Sequence, residues 1–301
     1  MTELSASTIP LPVPPAPPPA EDATVHASDG TPLAVRWFSP PGPPRGAALV
    51  VPAMGVPQSF YAAFAAWLAE QGLVVATFDY RGTGRSRRGP LRDVHADIVT
   101  WAEQDTAAVL AALRARAPGL PITWIGHSLG GQIIPFVRDR EGVEKILTIA
   151  TGSGWWRENS PPTRRKVWIL WWFAAPVLTP LFGYFPGKKL GIVGDLPRGV
   201  IMQWRRWCLQ REYAVGDGEE IRALFGGVTT PITSISFTDD EMMSDANTRS
   251  LHGFYTGAPR TMVRLAPADV GVRRIGHFGF FRPEMRAPLW ESRVRGELAL
   301  R

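Results

Sequence analysis

Leu120-Pro121-Ile122-Thr123-Trp124-Ile125-Gly126-His127-Ser128-Leu129-Gly130-Gly131 decides the reading of this chain, because a short apolar, β-branched run feeds straight into Gly-x-Ser-x-Gly. A serine lifted on a sharp strand-to-helix turn needs almost no bulk two residues before and after it. Gly126 and Gly130 supply that room, and Gly131 lets the following helix pack closely on the sheet. The apolar-rich stretch 130–137 reads as the start of that helix, whose N-terminus points at Ser128. The pattern predicts a nucleophilic Ser128, with the Leu129 N–H placed to hold an oxyanion.

A serine nucleophile requires a base and an acid that orients it, and both occur downstream. Residues 231–237 read as a strand ending in Thr238-Asp239-Asp240, where a carboxylate suits the orienting acid. Residues 261–265 read as a last strand, followed by a loop and Gly276-His277-Phe278, which offers the base. Asp239 and Asp240 compete for the acid, and Asp240 is preferred. The chain order is therefore Ser128, Asp240, His277.

With these residues in place the chain resembles the α/β-hydrolase superfamily from about residue 23 onward. Phe78-Asp79-Tyr80-Arg81-Gly82-Thr83-Gly84-Arg85-Ser86 is similar to the D-x-R-G-x-G-x-S segment that follows the fourth strand in that family. Ala48-Leu49-Val50-Val51-Pro52-Ala53-Met54-Gly55 is similar to its third strand and oxyanion loop, although many relatives carry His-Gly where this chain has Pro52-Ala53. By position the resemblance implies Met54 as the second oxyanion N–H. Within the superfamily the chain looks most like predicted hydrolases near the serine aminopeptidase and lysophospholipase-like branch.

Length and patterning fit one α/β domain with an insertion. Strand signals at 23–27, 33–38, 47–51, 73–78 and 145–150 alternate with helix signals at 59–71 and about 94–115, which predicts a mostly parallel sheet covered on both faces. Ser59 is the expected N-cap of the first helix, Gly72 its stop, and a terminal helix is expected over 288–300. The predicted division is a Pro-rich disordered tail over 1–22, core over 23–151 and 221–301, and a helical cap over 152–220. Seven prolines between Pro10 and Pro19, without a signal-peptide-like apolar run, set the tail apart.

The cap carries seven of the twelve tryptophans, and Val167 to Phe185 is uncharged over 19 residues. That reaches the lower length for a membrane span, but Pro176, Pro180 and Gly183 would interrupt its hydrogen bonding. A cap helix packed over the nucleophile is therefore the expectation, and peripheral contact with a membrane is the alternative that is not favoured. Trp168, Trp171 and Trp172, spaced i, i+3 and i+4, are expected to line one apolar substrate wall.

Composition excludes other classes. A single cysteine, Cys208, rules out an internal disulfide framework and fits a reducing cytoplasm. The charge of +6 comes from 29 Arg and 4 Lys that are scattered and belong to no nucleic-acid module, so no nucleic-acid partner is expected. No His/Cys/Asp/Glu spacing suits a metal, and Gly82-Thr83-Gly84 lacks the Lys-Ser/Thr of a phosphate loop, so neither metal nor other cofactor is expected. His26, His95 and His252 read as structural or surface residues, and His127 as packing or polar support. The sequence reading is a capped serine hydrolase acting through an acyl-enzyme on a small-molecule ester, thioester or amide with an apolar acyl or aryl group. Its rivals are an acyltransferase on the same intermediate, an aminopeptidase using Glu158, Asp195, Glu212 or Asp217 in the cap, and a non-catalytic or membrane-associated binding protein.

Overall fold

The computed structural model describes residues 20–300. Ten strands occur among them: β1 (Ala20–His26), β2 (Pro32–Phe38), β3 (Gly46–Val51), β4 (Leu73–Phe78), β5 (Ile122–His127), β6 (Val143–Ile149), the two-residue β7 (Tyr184–Phe185) and β8 (Leu196–Pro197), β9 (Ile232–Phe237) and β10 (Arg260–Leu265). Eight of them form one sheet in the order β1-β2-β4-β3-β5-β6-β9-β10, and β7 and β8 form a small ribbon of their own. β2 lies antiparallel to both β1 and β4, while the remaining neighbours run parallel.

Every residue of β3, β4, β5 and β9 is buried, as expected for central strands covered by helices on both faces. Successive side chains serve opposite cores: Ala47, Leu49 and Val51 join one apolar cluster, and Ala48 and Val50 the other. The sheet thus separates two cores and brings the C-terminal ends of β5 and β9 to one edge.

Boundaries differ from the sequence reading in places with identifiable causes. β1 begins at Ala20 and pairs Ala20 with Phe38, so residues 20–22 are strand rather than tail; the rest of the predicted tail lies outside the described residues. Ser59 caps nothing: Gln58–Tyr61 is a 3-10 turn and the α-helix proper is Ala62–Glu70. The second helical stretch starts after Asp97, whose Oδ1 accepts the Thr100 N–H at 2.8 Å in a capping box, about four residues later than predicted.

The D-x-R-G-x-G-x-S segment does architectural work. Asp79 accepts the Gln58 N–H at 2.8 Å and the Arg85 N–H at 2.9 Å, while Ser86 Oγ donates to the Asp79 carbonyl and accepts the Ala34 N–H. A Cβ on Gly84 would stand 2.4 Å from the Asp79 carboxylate, so the close approach demands glycine. Arg81 pairs with buried Asp105 at 2.7 Å and with Asp29 at 2.5 Å, tying the turn after β4 to two other segments.

Residues between β6 and β9 form the helical region expected as the cap. Helical turns over Val167–Ile169, Leu170–Ala174 and Ala175–Phe182 follow one another, the middle one a wide π-turn. That turn sits just ahead of Pro176, which has no N–H to donate to Trp172. Helix Arg198–Leu209 is tied to the core: Gln203 Oε1 accepts the Ile98 and Val99 N–H groups at 2.6 and 3.2 Å, satisfying donors at the start of a core helix. Among the described residues no helix is long and apolar enough to cross a membrane.

A buried histidine makes stability pH-dependent. His252 Nδ1 bonds the Thr248 carbonyl at 2.7 Å and its Nε2 lies 2.8 Å from Thr148 Oγ1, and burial lowers its pKa to about 4. Because the folded value lies below the unfolded one, the contribution is complete above about pH 6.5 and is lost as pH falls towards 4. Urea melts at pH 5 should therefore show about 2 kcal/mol less stability than at pH 7 from His252 alone. An equally stable protein at both values would contradict the neutral, buried assignment.

Candidate active site

β5 delivers Ser128 to the top of the sheet in a strained conformation, φ 50° and ψ −111°, outside the regions a non-glycine residue normally occupies. The turn is possible because nothing projects from its neighbours. A Cβ on Gly130 would lie 2.1 Å from the Val51 carbonyl oxygen, and one on Gly126 would lie 2.4 Å from that of Gly130. The Ser128 N–H bonds the Ile149 carbonyl at 3.0 Å, and Thr151 Oγ1 donates to the Ser128 carbonyl at 3.2 Å.

The helix after Ser128 is shorter than expected. Leu129–Gln132 is α-helical and Ile134–Phe136 continues as a 3-10 turn, because Pro135 cannot donate to an i−4 carbonyl. Four residues make a weak macrodipole. The donor at this end is consequently the Leu129 N–H itself, which as the first of its helix has no carbonyl of its own turn to pair with.

Three consecutive acids hold His277 in three ways. Asp240 Oδ2 lies 2.9 Å from His277 Nδ1, with both side chains buried. Its other oxygen accepts the Met242 and Met243 N–H groups, each at 2.8 Å, which fixes the carboxylate plane. Asp239 points elsewhere: its Oδ2 accepts the Ile275 and Gly276 N–H groups at 2.8 and 3.1 Å and so shapes the turn that carries His277. Glu241 Oε2 accepts the His277 N–H at 3.2 Å.

The loop bearing Met54 is gripped by two tyrosines. Tyr80 Oη donates to the Pro52 carbonyl at 3.1 Å, and Tyr61 Oη accepts the Ala53 N–H at 2.9 Å. Tyr61 Oη also lies 2.9 Å from His127 Nδ1, and His127 Nε2 lies 3.0 Å from the His277 carbonyl oxygen. Burial, and the nearby His277, push His127 well below its ordinary pKa. A neutral ring with Nε2–H donating to His277 and Nδ1 accepting from Tyr61 satisfies every atom in the chain of bonds. His127 thus links the Ala53 loop to the His277 turn.

Ser128, His277, Met54 and Leu129 line one small pocket, together with Gln132, Ile192, Val193, Trp204, Met242, Met243 and Phe278. Behind it lies an apolar cavity of about 450 Å³, which shares Ile192, Val193, Trp204, Met242 and Met243 with the pocket and extends under Leu170, Trp171 and Ala174. The expected tryptophan wall is only partly realised. Trp171 is 1% exposed and lines the cavity, stacked edge-on against Trp204 at 4.9 Å. Trp168 and Trp172 are each 44% exposed and line neither space. The i, i+4 pair shares one face, and the i+3 residue lies around the helix from it on the flank that packs inward.

None of Glu158, Asp195, Glu212 and Asp217 lines either space. Glu158 bonds Ser250, Glu212 pairs with Arg222, and Asp217 with Arg206. Glu241 is the acid that borders the larger cavity, and its Oε2 is engaged by the His277 N–H. No group of three or more His, Cys, Asp or Glu residues suited to a metal occurs among the described residues. Tyr61, Tyr80 and Trp204 are site residues that sequence reasoning did not place, and Asp239, weighed there as the orienting acid, instead holds the turn before His277. Their roles depend on contacts across 8 to 37 positions in the chain or more, for which no local pattern exists.

Residues 42–181 match the family model described as serine aminopeptidase, S33. A curated Escherichia coli O157:H7 protein, "Uncharacterized protein YfhR", is 33% identical over 142 residues, covering 44% of this chain and 47% of that protein, so the match spans about half the relative's length. Among solved structures, a soluble variant of the Saccharomyces cerevisiae monoglyceride lipase superposes with a TM-score of 0.62 at 16% identity, over 85% of this chain and 88% of that one. A Pyrococcus furiosus esterase gives 0.61 at 12% identity over 93% and 90%, and a Bacillus coagulans carboxyl esterase 0.57 at 16% over 82% and 90%. Taken with the strand order, these matches show the α/β-hydrolase fold, and the resemblance to the serine aminopeptidase family covers residues 42–181.

Proposed function

We propose that the protein hydrolyses carboxylic esters with an apolar acyl group through an acyl-enzyme on Ser128. The observation that carries this reading is the convergence of strained Ser128 and the buried Asp240–His277 pair on a pocket continuous with the apolar cavity. In the proposed reaction His277 takes the Ser128 proton as Oγ attacks the carbonyl, and Asp240 holds the imidazole tautomer and balances its charge. The Leu129 and Met54 N–H groups receive the oxyanion; Ala53 cannot serve, because its N–H is committed to Tyr61. His277 returns the proton to the leaving alcohol, and water activated by the same base then releases the acid.

An ester fits better than a peptide amino terminus, because the cavity walls are apolar and their one carboxylate, Glu241, is already bonded to backbone. The test is a series of p-nitrophenyl esters of graded chain length. Medium acyl chains should give the highest kcat/KM, and turnover confined to aminoacyl substrates would contradict the reading.

The cavity makes a residue-level prediction. Trp204→Ala should lower kcat/KM for an octanoyl ester relative to an acetyl ester by about 1 to 3 kcal/mol, since it removes wall from the acyl space. Trp168→Ala should leave that ratio unchanged. Equal losses on both esters in Trp204→Ala would show that Trp204 supports the region's folding rather than reading the acyl chain.

A further inference from the structure

The outward face of the helical region is apolar to a degree found nowhere else on the described surface. Ten large apolar side chains are exposed among the described residues, and nine lie between Trp168 and Ile192, Met262 being the tenth. Isolated exposed apolar residues need no explanation, but a contiguous group marks an interaction surface. Contiguity follows from the helix: Ile169, Phe173, Val177 and Leu181 fall at successive i+4 positions, and Trp168 and Trp172 flank them. Lys189 Nζ stands 5.7 Å above the Phe182 ring, which brings the turn carrying Leu190 against the end of the same helix.

The charges along this stretch are positive as far as Asp195, whose Oδ1 accepts the Lys188 N–H at 3.1 Å and whose Oδ2 faces Arg87. Between Asn159 and Gly194 the chain has five cations, Arg164, Arg165, Lys166, Lys188 and Lys189, and no Asp or Glu. All five are exposed, and none is in an ion pair among the described residues. An apolar face bearing tryptophan and rimmed by unpaired cations is complementary to a lipid–water interface with anionic headgroups. The face also adjoins the acyl cavity: Lys166 and Ile169 border that cavity, and half-exposed Ile192 borders both the cavity and the Ser128 pocket.

From this arrangement we infer that the Trp168–Ile192 face docks on an anionic lipid surface, with the acyl cavity opening at the contact. Exposed Trp and Phe side chains enter the headgroup boundary, and the lysines and arginines at the rim meet lipid phosphates. A lipid-borne ester then reaches Ser128 past Ile192 without its acyl chain crossing water. The contact is peripheral, since no described helix is long and apolar enough to cross a membrane.

Docking is separable from catalysis, so the test uses the full-length Ser128→Ala protein, in which vesicle lipid cannot be turned over. Co-sedimentation with phosphatidylcholine vesicles containing roughly one third phosphatidylglycerol should pellet the protein, and phosphatidylcholine alone should pellet far less. Phe173→Glu/Leu181→Glu, at positions 56% and 72% exposed, should weaken binding at least about tenfold. Lys188→Glu/Lys189→Glu should weaken binding to anionic vesicles and reduce its sensitivity to added salt. The same substitutions in the Ser128 background should leave p-nitrophenyl acetate turnover unchanged, which shows that the fold survives. Protein that stays in the supernatant with anionic vesicles would overturn the inference. So would a concentration-dependent dimer that Phe173→Glu/Leu181→Glu dissociates, because a second copy would then be what covers the face.

Discussion

Ser128→Ala should lower kcat for p-nitrophenyl esters by about 10⁵-fold while leaving the thermal melt intact or raised. The size of the loss follows from the residue's place in the site. Without Oγ there is no acyl-enzyme, and only binding and the oxyanion donors remain to assist water. Alanine carries the same Cβ, so the strain at φ 50° stays; any gain in melting temperature comes from removing the polar Oγ from a buried, largely apolar pocket. Melting curves and initial rates on one preparation measure both effects. A Ser128→Ala enzyme with more than a few per cent of wild-type turnover would move the nucleophile elsewhere.

Asp240→Asn and Asp239→Asn, though adjacent and isosteric, should behave differently. Asp240 faces His277 Nδ1 at 2.9 Å, so an amide there can present its NH₂ to the ring and hold the wrong tautomer, with an expected loss of about 10⁴ in kcat. Asp239 accepts two backbone N–H groups of the turn before His277. Its amide retains one acceptor oxygen, so kcat should fall roughly tenfold or less, with the larger effect on stability. The discriminating readout is the pH profile. Loss of Asp240 should shift or abolish the acidic limb of kcat/KM, and Asp239→Asn should leave its midpoint in place. The opposite ranking would assign the orienting role to Asp239.

What could be read from the sequence and what could not divide along the range of the interactions involved. The strand-to-Gly-x-Ser-x-Gly turn is local, and its glycines are required by contacts as close as 2.1 Å, so the local order of residues announces it. The parallel sheet was equally legible, because β3, β4 and β5 are buried along their whole length and need continuous apolar runs. The order Ser128, Asp240, His277 was read from strand ends, where the topology gathers loops at one edge of the sheet. The support around these residues was not legible. Tyr61, His127 and the His277 carbonyl form one chain of hydrogen bonds spanning more than two hundred positions, and nothing in the local pattern at Tyr61 distinguishes it from an ordinary core aromatic.

The helical region misled for a related reason. Counting i, i+3 and i+4 places three tryptophans near one side of a helix, but only the surrounding packing decides which of them turns inward. Trp171 packs on Trp204, while Trp168 and Trp172 remain outside. The uncharged run that carries these tryptophans consequently has two surfaces, one facing the acyl cavity and one facing out.

The central claim is that Ser128 is a nucleophile activated by His277. Its most direct test is labelling with a fluorophosphonate probe followed by peptide mapping, because phosphorylation requires the same attack and the same oxyanion site as ester cleavage. The account predicts one probe per chain, attached to the peptide containing Ser128, with labelling slowed severely in His277→Ala and absent in Ser128→Ala. An unlabelled wild-type protein, or labelling that persists unchanged in Ser128→Ala, would contradict it.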